Sequence, residues 1–122
     1  GVDLSTAEFL IEEIRELTAP LPTVDPTGGT TTFGAESGET AVGNYDVLDD
    51  FHNRSFSPPI DVSRTAMAEF SAFTQQVTVQ NVSTANLTQA ATNHSTDLYR
   101  VTVTITKNGQ TISSASWIRA RY

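Results

Sequence analysis

The residues of this chain best suited to chemistry are two histidines and a run of aspartates. His52 follows directly on Asp49-Asp50-Phe51, and Ser55 and Ser57 stand a few residues further on. A carboxylate, an imidazole and a hydroxyl are the parts of a nucleophilic triad. Such a triad also needs an oxyanion site and a nucleophile held on a sharp, exposed turn. Neither serine sits in a nucleophile-elbow pattern. His94 lies in a polar stretch, and neither histidine has a zinc-ligand partner at helical spacing. The pattern argues against an enzyme, and His52 reads as a surface or capping residue.

Asp46, Asp49, Asp50 and Asp61 supply hard oxygen atoms of the kind calcium takes. Their order, Asp46-x-x-Asp49-Asp50, does not follow an EF-hand loop. Aspartates also accept hydrogen bonds from the free backbone N–H groups of short helical turns. The segment Tyr45–His52 suits that structural role. Tyr45, Leu48 and Phe51 can share one face of a turn and plug into a core, with the acids toward water. The alternative is a calcium-binding adhesive surface module, with calcium at Asp46, Asp49 and Asp50, and no other cofactor is expected.

These residues need a scaffold, and the apolar pattern describes one. Leu4, Ala7, Leu10, Ile11, Ile14 and Leu17 recur at three- and four-residue spacing, which predicts an amphipathic helix over Leu4–Leu17. Glu8, Glu12, Glu13, Arg15 and Glu16 fill much of the other face. Ser5 followed by Glu8 could form a capping box, and Pro20 disfavours helical geometry at Ala19. The stretch Pro20–Gly43 reads as irregular chain, with a short edge strand possible at Thr30–Phe33. A short helix is expected within Ser63–Phe70.

Phe73–Val79 alternates apolar and polar residues, as a half-buried strand does. Leu98–Thr106 and Gln110–Tyr122 form two further strands, joined by Asn108-Gly109, the dipeptide of a tight type I′ hairpin. An unbroken hairpin register would set Ile105 against Ile112, Val103 against Ser114, Val101 against Ser116 and Tyr99 against Ile118. It would also pair Arg100 with Trp117 on the wet face. Asn81–Asp97 then becomes a polar loop anchored by Leu87. The expected fold class is α+β: an N-terminal helix packed on an antiparallel sheet, with a long irregular loop between them.

The chain has 122 residues, the size of one domain, and no cysteine. Disulfides and thiolate metal sites are thereby excluded. The net charge is −7, and the seven basic residues are scattered, so nucleic acid is not an expected partner. Serine and threonine make up about a quarter of the chain, as in many exported proteins. Sequons stand at Asn53, Asn81, Asn86 and Asn93, a number that chance yields at this Ser and Thr content. No apolar run of membrane-spanning length occurs.

Three places resemble type IV pilins and type II secretion pseudopilins, and within them the minor prepilin-like proteins of the PilV and MshD kind. The helix segment Phe9-Leu10-Ile11-Glu12-Glu13-Ile14 resembles the part just after the family's membrane-spanning half. Glu36-Ser37-Gly38-Glu39-Thr40, followed by Tyr45-Asp46-Val47-Leu48-Asp49-Asp50-Phe51-His52, resembles a signature of a glycine–glutamate pair and an aromatic-acidic run ending in an aromatic and a histidine. The strand block Tyr99–Tyr122 is the third. Asn53 stands where the family often has glycine.

The resemblance implies one pilin-like globular domain over residues 1–122, with Glu39, Tyr45, Leu48, Phe51 and His52 as signature positions. It implies an assembly helix carrying Leu4, Ala7, Leu10, Ile11, Ile14 and Leu17. It also implies a cleaved leader and an apolar helix half of roughly 20 or more residues ahead of this part, long enough to span the inner membrane. The globular domain would then lie in the periplasm before joining a filament. Its partners would be other pilin or pseudopilin subunits, and the isolated domain is expected to be monomeric.

Overall fold

The computed structural model describes residues 2–23, 48–87, 89–91 and 96–120, and of Asp49 no side chain. One helix, α1 (Val2–Thr18), packs on a four-stranded antiparallel sheet. Its strands are β1 (Arg54–Phe56), β2 (Phe73–Asn81), β3 (Leu98–Lys107) and β4 (Gln110–Ala120), in the spatial order β1-β2-β3-β4. The expected α+β architecture is the one observed. The irregular stretch expected between helix and sheet lies outside the described residues beyond Thr23, and so does Thr30–Phe33.

The helix buries Ala7, Leu10, Ile11, Ile14 and Leu17 against β3 and β4. Facing them are Val77 and Val79 from β2 and Tyr99, Val101, Val103 and Ile105 from β3. Each fully buried aliphatic side chain of this kind contributes about 1.5–3 kcal/mol relative to exposure. Leu4 departs from the expected stripe. It is 45 % exposed, because in the first turn the helix has little of the core left to cover. The helix already begins at Val2, so Ser5 and Glu8 lie inside it and do not cap its start.

The hairpin corrects the expected register. Asn108 and Gly109 take φ values of 51° and 82°, the left-handed pair a type I′ turn needs. Lys107 pairs with Gln110 and Thr106 with Thr111, but the register then shifts between Ile105 and Thr106, and Ile105 pairs with Ser113. Ile112 is thus the extra residue of a β-bulge, where two residues of one strand oppose one of the other. Beyond it every expected pair moves by one. Val103 faces Ala115, Val101 faces Trp117, Tyr99 faces Arg119 and Arg100 faces Ile118. Ala115 and Trp117 pack on the core, while Ser114, Ser116 and Ile118 turn to solvent.

The expected Arg100–Trp117 contact is therefore absent. Arg15 of α1 lies 5.2 Å from the Trp117 ring centroid, and Arg100 donates to Gln80 Oε1 at 3.0 Å. The outer face of the sheet is polar, with Thr102 and Ser116 hydroxyls 2.8 Å apart and Thr104 and Ser114 hydroxyls 3.2 Å apart.

Two loop expectations also change. Within Ser63–Phe70 the only helical turn is a 3-10 turn at Ala68–Phe70, because Ile60 and Ala66 form an antiparallel bridge that holds the chain extended before it. Met67 is buried, but Ala66 is exposed and Phe70 half-buried. In the loop after β2 the apolar anchor is Val82, fully buried, and not Leu87, which is exposed. Asn81 fixes this loop from inside, donating to the carbonyls of Thr96 and Leu98 at 3.0 and 3.2 Å.

Candidate functional site

The helix–sheet seam is fastened at both ends by basic side chains of the sheet. Lys107, at the end of β3, forms an ion pair with Asp3 in the first turn of α1 at 3.1 Å. At the other end, Arg119 of β4 donates to the carbonyls of Thr18 and Leu21 at 2.9 and 2.6 Å. Those carbonyls lie at the negative end of the helix dipole, where a guanidinium is favourable. The Thr18 hydroxyl donates to the Ile14 carbonyl at 2.9 Å, and Pro20 follows, so the helix stops where Arg119 meets it. The bulge at Ile112 is what turns Arg119 and Trp117 toward the helix.

Gln75 is the buried polar centre of the seam. Its side chain is fully buried. Oε1 accepts from the Ile60 N–H at 2.8 Å, and Nε2 donates to the Ile60 carbonyl and the Leu10 carbonyl, both at 3.1 Å. The amide thus pairs with Ile60 as a neighbouring peptide group would. It ties together β2, the 57–70 segment and the helix. The bridge at Ile60–Ala66 uses the flanking groups, with Asp61 N–H on the Thr65 carbonyl and Met67 N–H on the Pro59 carbonyl. Ile60's own N–H and carbonyl therefore point to Gln75.

The acidic segment is built around its apolar residues. Leu48 and Phe51 are fully buried on a 3-10 turn, Leu48–Phe51, as expected of them. The Leu48 N–H donates to the Pro22 carbonyl at 2.7 Å, which brings the two described ends of the intervening chain together. The Phe51 ring meets Phe56 at 6.3 Å between centroids, and the Arg64 guanidinium lies 5.9 Å from its centre. Asp50 departs from the expectation that the acids face water. It is buried, because the tight turn that plugs Leu48 and Phe51 carries Asp50 inward with them. The Arg54 Nε donates to the Asp50 backbone carbonyl at 3.3 Å.

His52 is not a plain surface residue. Its Nδ1 accepts the Val79 backbone N–H at 2.9 Å. Arg54 pairs with Val77, so position 52 falls opposite Val79 in the same antiparallel ladder. The imidazole takes the place a strand carbonyl would hold. Asn53, with φ of 60°, turns the backbone away there, a conformation glycine and asparagine tolerate best. Burial, and secondarily the charge of Arg54, lowers the His52 pKa below its ordinary value and favours the neutral ring that this bond requires.

Of the signature positions, Leu48, Phe51 and His52 come together at the β1–β2 edge, while Glu39 and Tyr45 lie outside the described residues. The proposed calcium ligands are not assembled by described groups, since Asp46 and the Asp49 side chain lie outside them. Asp61 spends its Oδ1 on the N–H groups of Ser63 and Thr65 at 2.8 and 3.0 Å. Sequence reasoning missed Gln75, Arg119 and Lys107 as seam residues. A polar residue at an inward strand position was the available signal for Gln75. Comparison of the chain with known protein families, with curated proteins and with solved structures finds no match.

Proposed function

We propose that this domain is a structural, non-catalytic minor subunit of a filament of the type IV pilus or type II secretion pseudopilus kind. The observation that carries the reading is the seam: an amphipathic helix laid lengthwise along the sheet and clamped at both ends by sheet cations. Its first turn stands clear of the core, with Val2 82 % exposed. A helix can be prolonged from that turn without displacing anything the core uses. The signature residues Leu48, Phe51 and His52 have structural work in the fold, and the Nδ1 lone pair of His52 is committed to the backbone. No described helix is long and apolar enough to cross a membrane. An apolar helix half ahead of α1 enters the proposal from the family resemblance alone.

The test uses the intact gene with an epitope tag in its native cell. The protein is expected in the inner-membrane fraction and in sheared filaments, after removal of a leader by a prepilin peptidase. Recovery solely as a soluble species, or a reading frame in which a secretory signal precedes Leu4 with no retained apolar helix, overturns the proposal.

A further inference from the structure

Among the described residues, one flank of α1 carries exposed apolar side chains. Val2 and Phe9, seven residues and two turns apart, are 82 % and 45 % exposed. The Phe9 ring lies 5.8 Å from that of Phe70, which is half-buried on the 57–70 segment and meets Phe73 beneath it at 6.4 Å. Val62, on the same segment, is 44 % exposed, and its backbone lies beside the Glu13 carboxylate, one turn along from Phe9. Helix and loop thus form one preformed surface, an apolar centre of Phe9, Phe70 and Val62.

Among the described residues the rim of this surface is mainly acidic. Glu12, Glu16 and Glu69 are exposed around it, and Glu13 and Asp61 border Val62. Of the nearby cations, Lys107 lies over the Phe73 ring, 5.4 Å from its centroid, beneath Phe70, and each cation has a contact of its own. Arg15 lies over Trp117, Arg64 over Phe51, and Lys107 pairs with Asp3. Partial burial, then the like charges of Glu16 and Asp61, raise the Glu13 pKa. A cation brought to this rim would meet unbalanced negative charge, and an apolar side chain beside it would cover Phe9 and Val62. An apolar centre with a polar rim is the anatomy of a protein interface.

We propose that this flank docks a cationic amphipathic helix of a partner protein, its apolar stripe on Phe9, Val62 and Phe70 and its Lys or Arg residues on Glu12, Glu13, Glu16 and Asp61. The inference does not depend on the filament reading, because it follows from the surface alone.

The test compares two fluorescent peptides of the same leucine and lysine composition, one with leucines at helical spacing and one scrambled, titrated against the domain at physiological salt. The amphipathic peptide is expected to bind saturably at one-to-one stoichiometry. Phe9→Ser with Val62→Ser is expected to weaken it at least about tenfold, and Glu13→Gln with Glu16→Gln by a comparable factor. Ile118→Ser, which removes an exposed apolar residue from the opposite face of the sheet, leaves binding unchanged. Amide shift mapping on the unaltered protein is expected to centre on Phe9, Val62 and Phe70, so the result does not hang on how a variant folds. Equal binding of the scrambled peptide, absence of saturable binding, or shifts spread over the whole acidic surface overturns the proposal.

Discussion

Replacing Gln75 by methionine keeps the length and flexibility of the side chain and removes its amide. The change leaves the N–H and carbonyl of Ile60 without the partners that Oε1 and Nε2 supply at 2.8 and 3.1 Å. Ile60 and Gln75 are both buried, so water does not replace those bonds freely. Each buried backbone group left unpaired costs about 1–3 kcal/mol, and the more apolar side chain returns some of this. The expected loss is about 2–5 kcal/mol, large against the roughly 5–15 kcal/mol that holds a domain folded. The Leu10 carbonyl also loses a bond, but it lies within the helix ladder and adds little. Urea unfolding measures the effect as a lower midpoint with an unchanged slope. Gln76→Met, one residue along on the exposed face, is the control and should stay within about 0.5 kcal/mol of the parent. Hydrogen exchange should show the Ile60 amide losing protection. A loss below about 1 kcal/mol at constant slope, with the Ile60 amide still protected, would refute the reasoning.

Arg119→Ala removes both donors to the Thr18 and Leu21 carbonyls and should cost about 1.5–3 kcal/mol by chemical denaturation, with Arg119→Lys recovering only part. Phe51→Ala empties a fully buried site and should cost about 3–5 kcal/mol in the same assay. His52 has a folded-state pKa below its unfolded one. The folded state therefore binds fewer protons in this range, and the His52 contribution is complete above the unfolded value near pH 6.5 and lost as pH falls through the folded value. Unfolding curves at successive pH values below 7 should show that loss in the parent and a smaller pH dependence in His52→Ala. Equal slopes in the two proteins would contradict it.

The helix and the three longer strands were legible because each is long enough to show its period. Ala7, Leu10, Ile11, Ile14 and Leu17 repeat at the helical spacing, and Phe73, Val77 and Val79 alternate. The strand β1 spans three residues, too few for alternation to appear. The hairpin turn was legible in Asn108-Gly109, but the bulge three residues beyond it was not. Ser113, Ser114, Ala115 and Ser116 are small enough to sit on either face, so nothing local sets their parity. What decides it is distant: Trp117 has a place beside Arg15, and Arg119 reaches the end of the helix only in the bulged register. The same holds for His52, whose partner Val79 is 27 positions away, and for Gln75, whose partners lie 15 and 65 positions away.

The two cation clamps also fix the direction of α1. Asp3 is held beside the end of β3 and Thr18 beside the end of β4, so the helix runs alongside β4 and in the same sense. Its 17 residues span about 25 Å, some two-thirds of the roughly 36 Å of the 11-residue strand beneath. A pull on the first turn along the helix axis consequently loads the seam in shear. Asp3–Lys107, the buried stripe, Gln75–Leu10 and Arg119–Thr18 all resist at once, and none can be peeled off ahead of the rest. A pull applied sideways at Val2 would instead break Asp3–Lys107 first and open the interface one turn at a time. The domain is thus mechanically strong in one direction, and that direction is the axis of its own helix.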